Sequence, residues 1–125
     1  MHKIVITAGD MTIAAELNDS PTALEIWEAL PVQALTSTWG DEIYFEIPVT
    51  RGQAPDARAE VDVGTLGYWP MGRAFCIFFG PTPASTDSKP RAYSPVNVVG
   101  SITGDVTPLH DVQQGTAVRV AKARA

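Results

Sequence analysis

The chain has 125 residues, of which 45% are hydrophobic and 18% charged, with ten Gly and ten Pro. This size and composition exclude a disordered chain and predict one globular, turn-rich domain over residues 1–125. The formal net charge of −5 argues against binding that depends on neutralising phosphates, so we expect neither a nucleic-acid partner nor a membrane partner.

The single cysteine and the scattered histidines limit the chemistry that the chain offers. Cys76 lies inside an apolar run and is predicted to be a small buried residue in a reducing compartment. The N-terminal segment has no apolar stretch long enough for a signal peptide, and nowhere do about 18 uncharged apolar residues run together, so we expect a cytoplasmic protein. The His and Cys residues have no zinc spacing and the glycines no phosphate-loop pattern, so no metal and no cofactor is predicted.

The beginning of the chain predicts a hairpin followed by a helix. β-branched residues in segments 3–7 and 11–17 flank a Gly-Asp pair, which is typical of two antiparallel strands. A helix is then predicted over residues 21–30, with Ser20 as a capping candidate, apolar residues at three- and four-residue spacing, and Pro31 as its stop.

The middle of the chain contains its most apolar segment, GYWPMGRAFCIFFGPTP, at residues 67–83. Residues 74–79 are short, apolar and bounded by Gly and Pro, which predicts a strand covered on both faces. Residues 68–72 before it are predicted to form a turn that carries large rings. Upstream, residues 42–49 alternate as a half-buried strand, residues 50–59 read as a surface loop, and residues 60–65 predict a short strand.

The last part of the chain adds further strands. Residues 84–90 predict an exposed loop, residues 93–102 a strand, and residues 109–114 a single helical turn or a loop. Residues 116–121 alternate as a closing strand. The resulting fold class is all-β (mainly β), arranged as a closed β-barrel with one capping helix.

Three segments carry a resemblance to a known family: GDEIYFEIP at residues 40–48, residues 67–83 as quoted above, and KPRAYSPVNVVGSI at residues 89–102. With the hairpin and the helix, they resemble the cyclophilin-like fold. More narrowly, they resemble the small family of uncharacterised bacterial and archaeal proteins called TM1367-like. The resemblance implies an eight-stranded barrel with a capping helix and a pocket on the barrel wall.

A candidate ligand-binding site lies near the strand and turn ends of these segments. Its aromatic members are predicted to line a pocket and its charged members to anchor a ligand, as in small-molecule and peptide sites. The predicted residues are Tyr44, Glu46, Trp69, Arg73, Phe75, Phe78, Arg91 and Tyr93. In the alternative interpretation, the rings fill the barrel interior and the charged groups are solvated or paired at the surface.

Three functions follow from this site. The first is a binding module for a small molecule or a peptide. The second is a peptidyl-prolyl isomerase, or another enzyme, using the same pocket; true cyclophilins use an Arg on the strand that resembles residues 44–48, where this chain has Glu46, and Arg51 follows only after Pro48. No catalytic residue is therefore assigned. The third is a structural protein that forms a homodimer through its aromatic turn.

Overall fold

The computed structural model describes residues 2–124, which form a ten-stranded antiparallel sheet with an α-helix and two 3-10 helices. The strands are β1 (His2–Ala8), β2 (Met11–Leu17), β3 (Val32–Leu35), β4 (Ser37–Thr38), β5 (Glu42–Glu46), β6 (Arg58–Glu60), β7 (Thr65–Trp69), β8 (Ala74–Phe78), β9 (Arg91–Ile102) and β10 (Ala117–Lys122). The helix α1 spans Pro21–Ala29, and the 3-10 helices span Pro70–Gly72 and Thr107–Asp111. Among residues 2–124, no helix has both the length and the apolar content needed to cross a membrane.

The hairpin and the helix at the beginning of the chain are confirmed. β1 and β2 pair from His2↔Leu17 to Ala8↔Met11, so the Gly-Asp pair forms the turn as expected. The Ser20 side chain accepts a hydrogen bond from the Ala23 backbone N–H at 3.3 Å, which satisfies one free donor of the first helical turn. The helix ends one residue earlier than predicted, and its buried Ile26 joins the core.

The sheet is open, so the predicted closed barrel is wrong. Its strand order is β3-β10-β1-β2-β9-β7-β8-β5-β4, with β6 paired separately to β9, and no ladder joins β3 to β4 among the described residues. The reason lies at Thr36, which alone separates these two strands. Its N–H donates to Thr116 O at 2.9 Å and its carbonyl accepts from Gly115 N–H at 2.7 Å. The chain therefore passes directly from one end of the sheet to the other.

A ladder of three residue pairs between β2 and β9 joins the strands β3, β10, β1 and β2 to the strands β9, β7, β8, β5 and β4. Ala15 pairs with Ile102, Glu16 with Ser101 and Leu17 with Gly100. The backbones approach so closely that a Cβ atom on Gly100 would overlap the Glu16 carbonyl oxygen and lie 3.0 Å from Leu17 Cα. Glycine is therefore required at this crossing because of close contact between backbones.

The sheet carries apolar residues on both faces of β8, which confirms the prediction of a strand covered on both sides. Phe75 and Ile77 point into the main core with residues from β1, β2 and α1. Cys76 and Phe78 point to the opposite face, where they form a second, smaller cluster with Val96. Because successive strand residues face opposite sides, one apolar run supplies both clusters.

Three segments before β8 differ from their predictions. The predicted loop 50–59 contains the start of β6, and the predicted strand 60–65 is mostly irregular. The predicted turn at residues 68–72 begins two residues later than expected, at Pro70, because Tyr68 and Trp69 belong to β7. The flanking Gly67, Pro70 and Gly72 resemble a turn locally, but β7 pairs with both β8 and β9, and these pairings dominate.

Candidate functional site

A solvent-open hollow of about 180 Å³ lies over the second apolar cluster, on the outer face of the sheet. Residues from the β4–β5 turn, β5, β7 and β9 border it. They are Trp39, Glu42, Tyr44, Trp69, Ala92, Tyr93 and Val96. Four of these residues are aromatic and one is acidic, so the hollow has apolar walls and one ionisable group.

The alternation of β5 places two of these side chains on the same face. Glu42 and Tyr44 are two residues apart and point outward, whereas Ile43 and Phe45 point into the main core. Trp39 precedes β5 across a two-residue turn, in which Trp39 and Glu42 exchange backbone hydrogen bonds of 2.9 and 3.2 Å. The turn thus holds Trp39 beside the Glu42 side chain.

Gly40 allows this turn to pack against the segment after β8. Its φ of +59° is accessible to glycine at little cost. A Cβ atom there would lie 2.9 Å from Thr82 Cα and 3.0 Å from Pro81 O. The Asp41 N–H also donates to Pro81 O at 3.0 Å. The position of Trp39 is therefore fixed by backbone contacts that no other residue at position 40 permits without strain.

Three of the rings meet at nearly right angles. Tyr93 presents an edge-to-face contact to Trp39 at 6.2 Å between ring centroids and 72° between planes. It makes a similar contact with Trp69 at 6.1 Å and 78°. The Trp69 indole N–H donates to Ser94 Oγ at 2.6 Å, which occupies the polar edge of that ring. Trp69 therefore lines the hollow with the apolar part of its ring.

Glu42 is the acidic group of the hollow and is only 6% exposed. Burial in apolar surroundings raises its pKa to about 7, and a hydrogen bond from the Cys76 thiol partly opposes this rise. Burial also raises the pKa of Cys76 well above its ordinary value, and the nearby Glu42 carboxylate raises it further. The thiol is consequently protonated at neutral pH and serves as a hydrogen-bond donor. It is not an activated nucleophile.

The structure brings together three of the eight predicted site residues, Tyr44, Trp69 and Tyr93. Phe78 lies fully buried in the cluster beneath the hollow. Phe75 faces the main core, where it stacks on Phe45 at 5.4 Å, because it has the opposite parity along β8. Phe75 and Phe78 are therefore interior rings, as the alternative interpretation expected, whereas Tyr44, Trp69 and Tyr93 line the hollow.

The predicted charged anchors lie outside the hollow. Arg73 and Glu46 form an exposed ion pair with an Nη2–Oε2 distance of 2.5 Å. Arg91 lies in β9 opposite Glu60 of β6 and does not line the hollow. Arg51 turns toward the helix and binds Glu25 at 2.7 Å. None of these three guanidinium groups is positioned to act on a molecule in the hollow.

Four residues that line the hollow were not predicted from the sequence: Trp39, Glu42, Ala92 and Val96. A signal for Glu42 was present, because it precedes Tyr44 by two residues on a predicted strand and must share its face. Trp39 depends on the geometry of the turn, and Ala92 and Val96 depend on how β9 crosses β7. No pattern in the sequence reports these two arrangements.

The described residues contain no group of three or more His, Cys, Asp or Glu side chains that could hold a metal ion. The hollow itself contributes one carboxylate, and the thiol of Cys76 lies buried beneath its lining. Its residues are therefore suited to contacting an organic group through ring surfaces and one acidic side chain.

Comparisons with known proteins agree with the predicted resemblance. The model of the family described as Cyclophilin-like matches residues 2–121. The solution structure of a hypothetical protein from Archaeoglobus fulgidus is 36% identical, with a TM-score of 0.83 over 98% of this chain and 95% of that chain. No curated protein matches the chain. The cyclophilin-like resemblance is thus confirmed, and the narrower TM1367-like assignment stays a prediction.

Proposed function

The chain belongs to the Cyclophilin-like family, and we propose that it is a binding protein that takes a small organic molecule into the hollow between β5, β7 and β9. The observation that carries this proposal is the set of four aromatic residues around an open, mainly apolar concavity. Large rings that serve only the fold are expected in the core, as Phe75 and Tyr68 are. Binding clefts are instead lined by rings together with a few polar groups.

Tyr93 supports this interpretation most directly. Its side chain is 73% exposed, so it contributes little buried area to the fold. It nevertheless stands against both Trp39 and Trp69 at the rim of the hollow. A bound molecule would cover the three rings together and remove their apolar surface from water.

The prolyl isomerase alternative has less support than binding. The residues that line the hollow include no Arg, and Arg51, the residue that the sequence left open for this role, is paired with Glu25. A guanidinium donor aimed at a twisted proline amide, as true cyclophilins supply, is therefore not among the residues that line the hollow. The proposal assigns recognition to the hollow and no reaction.

The three tryptophans of the chain provide a direct test with an internal control. In a ¹H–¹⁵N spectrum of the labelled protein, each indole N–H gives one signal, and Trp→Phe variants assign them. Compounds that bind as proposed shift the Trp39 and Trp69 signals. They leave the signal of Trp27, which packs on His2 and beneath Lys122, unchanged. A diverse small-molecule library in which no compound shifts the two signals selectively would refute the proposal.

Tyr93→Ala is expected to weaken binding of a compound found in that library at least tenfold, because it removes one wall of the hollow. Its free energy of unfolding should change by less than about 1 kcal/mol, since the side chain is exposed. Leu35→Ala is the matched control, because Leu35 is also exposed, at 68%, and does not line the hollow. Equal affinities of the two variants, measured by the same titration, would contradict the assignment.

A further inference from the structure

The chemistry of the hollow restricts the kind of molecule that it accepts. Its acidic group, Glu42, is more than nine-tenths buried at the base of the aromatic walls. A buried carboxylate without a cationic partner destabilises a fold when it is ionised, so such groups are normally paired. The described residues that line the hollow include no Lys, Arg or His. The group that interacts with the carboxylate is the Cys76 thiol, which is buried and neutral and cannot balance the charge.

The cationic side chains of this region are used elsewhere. Arg73 is paired with Glu46 at 2.5 Å, and Lys89 lies 3.4 Å from Asp62. Neither Arg73 nor Lys89 lines the hollow. The negative charge of Glu42 therefore has no cationic partner among the residues that line the hollow, whereas Arg73 and Lys89 are each paired with a carboxylate outside it.

The aromatic walls favour the same kind of partner. The face of an aromatic ring carries negative electrostatic potential and attracts a cation within about 6 Å, most strongly for Trp. Trp39 and Trp69 stand on either side of Tyr93, and both contacts with Tyr93 are nearly perpendicular. Walls that meet at such angles surround a compact, roughly spherical group better than a flat ring. A substituted ammonium group has this shape.

We propose that the ligand of the hollow is an organic cation, an alkylated or quaternary ammonium compound, with Glu42 as its counter-ion and the rings of Trp39, Tyr44, Trp69 and Tyr93 around its methyl or methylene groups. This inference rests on the proposed binding function and specifies its ligand class. The formal net charge of −5 also favours the approach of a cation. Alkyl groups on the nitrogen match the apolar walls, whereas a fully hydrated metal ion or bare ammonium does not.

The test compares two probes of nearly the same shape and different charge. Choline carries a quaternary nitrogen, and 3,3-dimethylbutan-1-ol replaces that nitrogen with a neutral carbon. Both are titrated into the full chain at pH 8, above the pKa of Glu42 of about 7, and the Trp39 and Trp69 indole signals are followed. Choline is expected to bind at least tenfold more tightly than the alcohol, a difference of about 1.4 kcal/mol.

Glu42→Gln separates the role of the charge from that of the rings. It keeps the shape of the side chain and removes the carboxylate, so it should reduce the preference for choline over the alcohol to within about threefold. Glu46→Gln is the matched control on the same strand and face, where the carboxylate is exposed and paired with Arg73. It should retain the full tenfold preference.

Each outcome is decisive. Equal binding of the two probes, or a preference for choline that persists in Glu42→Gln, overturns the cation inference. If neither probe binds but neutral library compounds shift the Trp39 and Trp69 signals, the cation inference fails and the proposed binding function stands. If no compound of any kind shifts these signals, both proposals fail.

Discussion

Replacing Glu42 with Gln should stabilise the folded protein by about 3 kcal/mol at pH 8 and above, and should have little effect near pH 4. The cause is the raised pKa, which is about 7 in the folded protein against an ordinary value of 4.5. A difference of about 2.5 pKa units corresponds to roughly 3 kcal/mol. Because the side chain is almost fully buried, solvent screening reduces this value little.

The sign follows from proton binding. Between pH 4.5 and about 7, the folded protein retains the Glu42 proton and the unfolded chain loses it. The folded state therefore binds more protons, and the free energy of unfolding falls as the pH rises through this window. Below pH 4.5 both states are protonated, so this group does not reduce stability. Above about pH 7 the full destabilisation is present, and Gln removes it.

Urea unfolding of the wild type and Glu42→Gln at several pH values between 4 and 8.5 measures this effect. All other ionisable groups occur in both proteins, so their contributions cancel in the difference. Glu46→Gln should follow the wild type within about 1 kcal/mol at every pH, since its carboxylate is exposed. Parallel pH profiles for the wild type and Glu42→Gln would show that Glu42 titrates normally.

Gly100→Ala should destabilise the protein by about 3 kcal/mol or more. The added methyl group would overlap the Glu16 carbonyl oxygen, and a backbone atom cannot rotate away as a side chain does. Relief requires separating β2 from β9, where three residue pairs hold the two sides of the sheet together. The hydrogen bond from Asn18 N–H to Val99 O, 2.8 Å long, lies beside this ladder and would weaken with it.

Gly104→Ala is the control for this prediction, because a Cβ atom there would come no closer than 4.0 Å to Ile13 Cγ1. Its midpoint of urea unfolding should lie close to that of the wild type. Hydrogen exchange at the Asn18 amide should accelerate in Gly100→Ala alone. Equal stability of Gly100→Ala and Gly104→Ala would contradict the prediction, because it would mean that a small backbone shift accommodates the methyl group without weakening the β2–β9 pairing.

Local features of the chain were predictable from sequence because their causes are local. Ser20 and Pro21 determine where the helix begins, and the Gly-Asp pair determines the turn of the first hairpin. β8 is buried on both faces, and this was predictable because its apolar run is too short for a helix and is rich in Phe and Ile. In each case the information lies within about ten residues.

The remaining features depend on partners that are distant in the chain. The last two residues of β7, Tyr68 and Trp69, were predicted to lie in a turn, because the pairing of β7 with β8 and β9 cannot be seen in the turn-like residues around them. The open edge at Thr36 depends on hydrogen bonds to residues about 80 positions away. The candidate site was half predictable. Tyr44, Trp69 and Tyr93 were predicted. Trp39 and Glu42 were not, because only the turn between them places their side chains next to each other at the hollow.

The open arrangement of the sheet leaves two terminal strands with unpaired backbone groups, and both are short. β4 has two residues and β3 has four. A strand edge of two to four residues can form few backbone hydrogen bonds with another chain. It is therefore a poor template for the strand-to-strand association that leads to aggregation. Thr36 joins these two short terminal strands directly, so each of them offers few backbone groups to another chain.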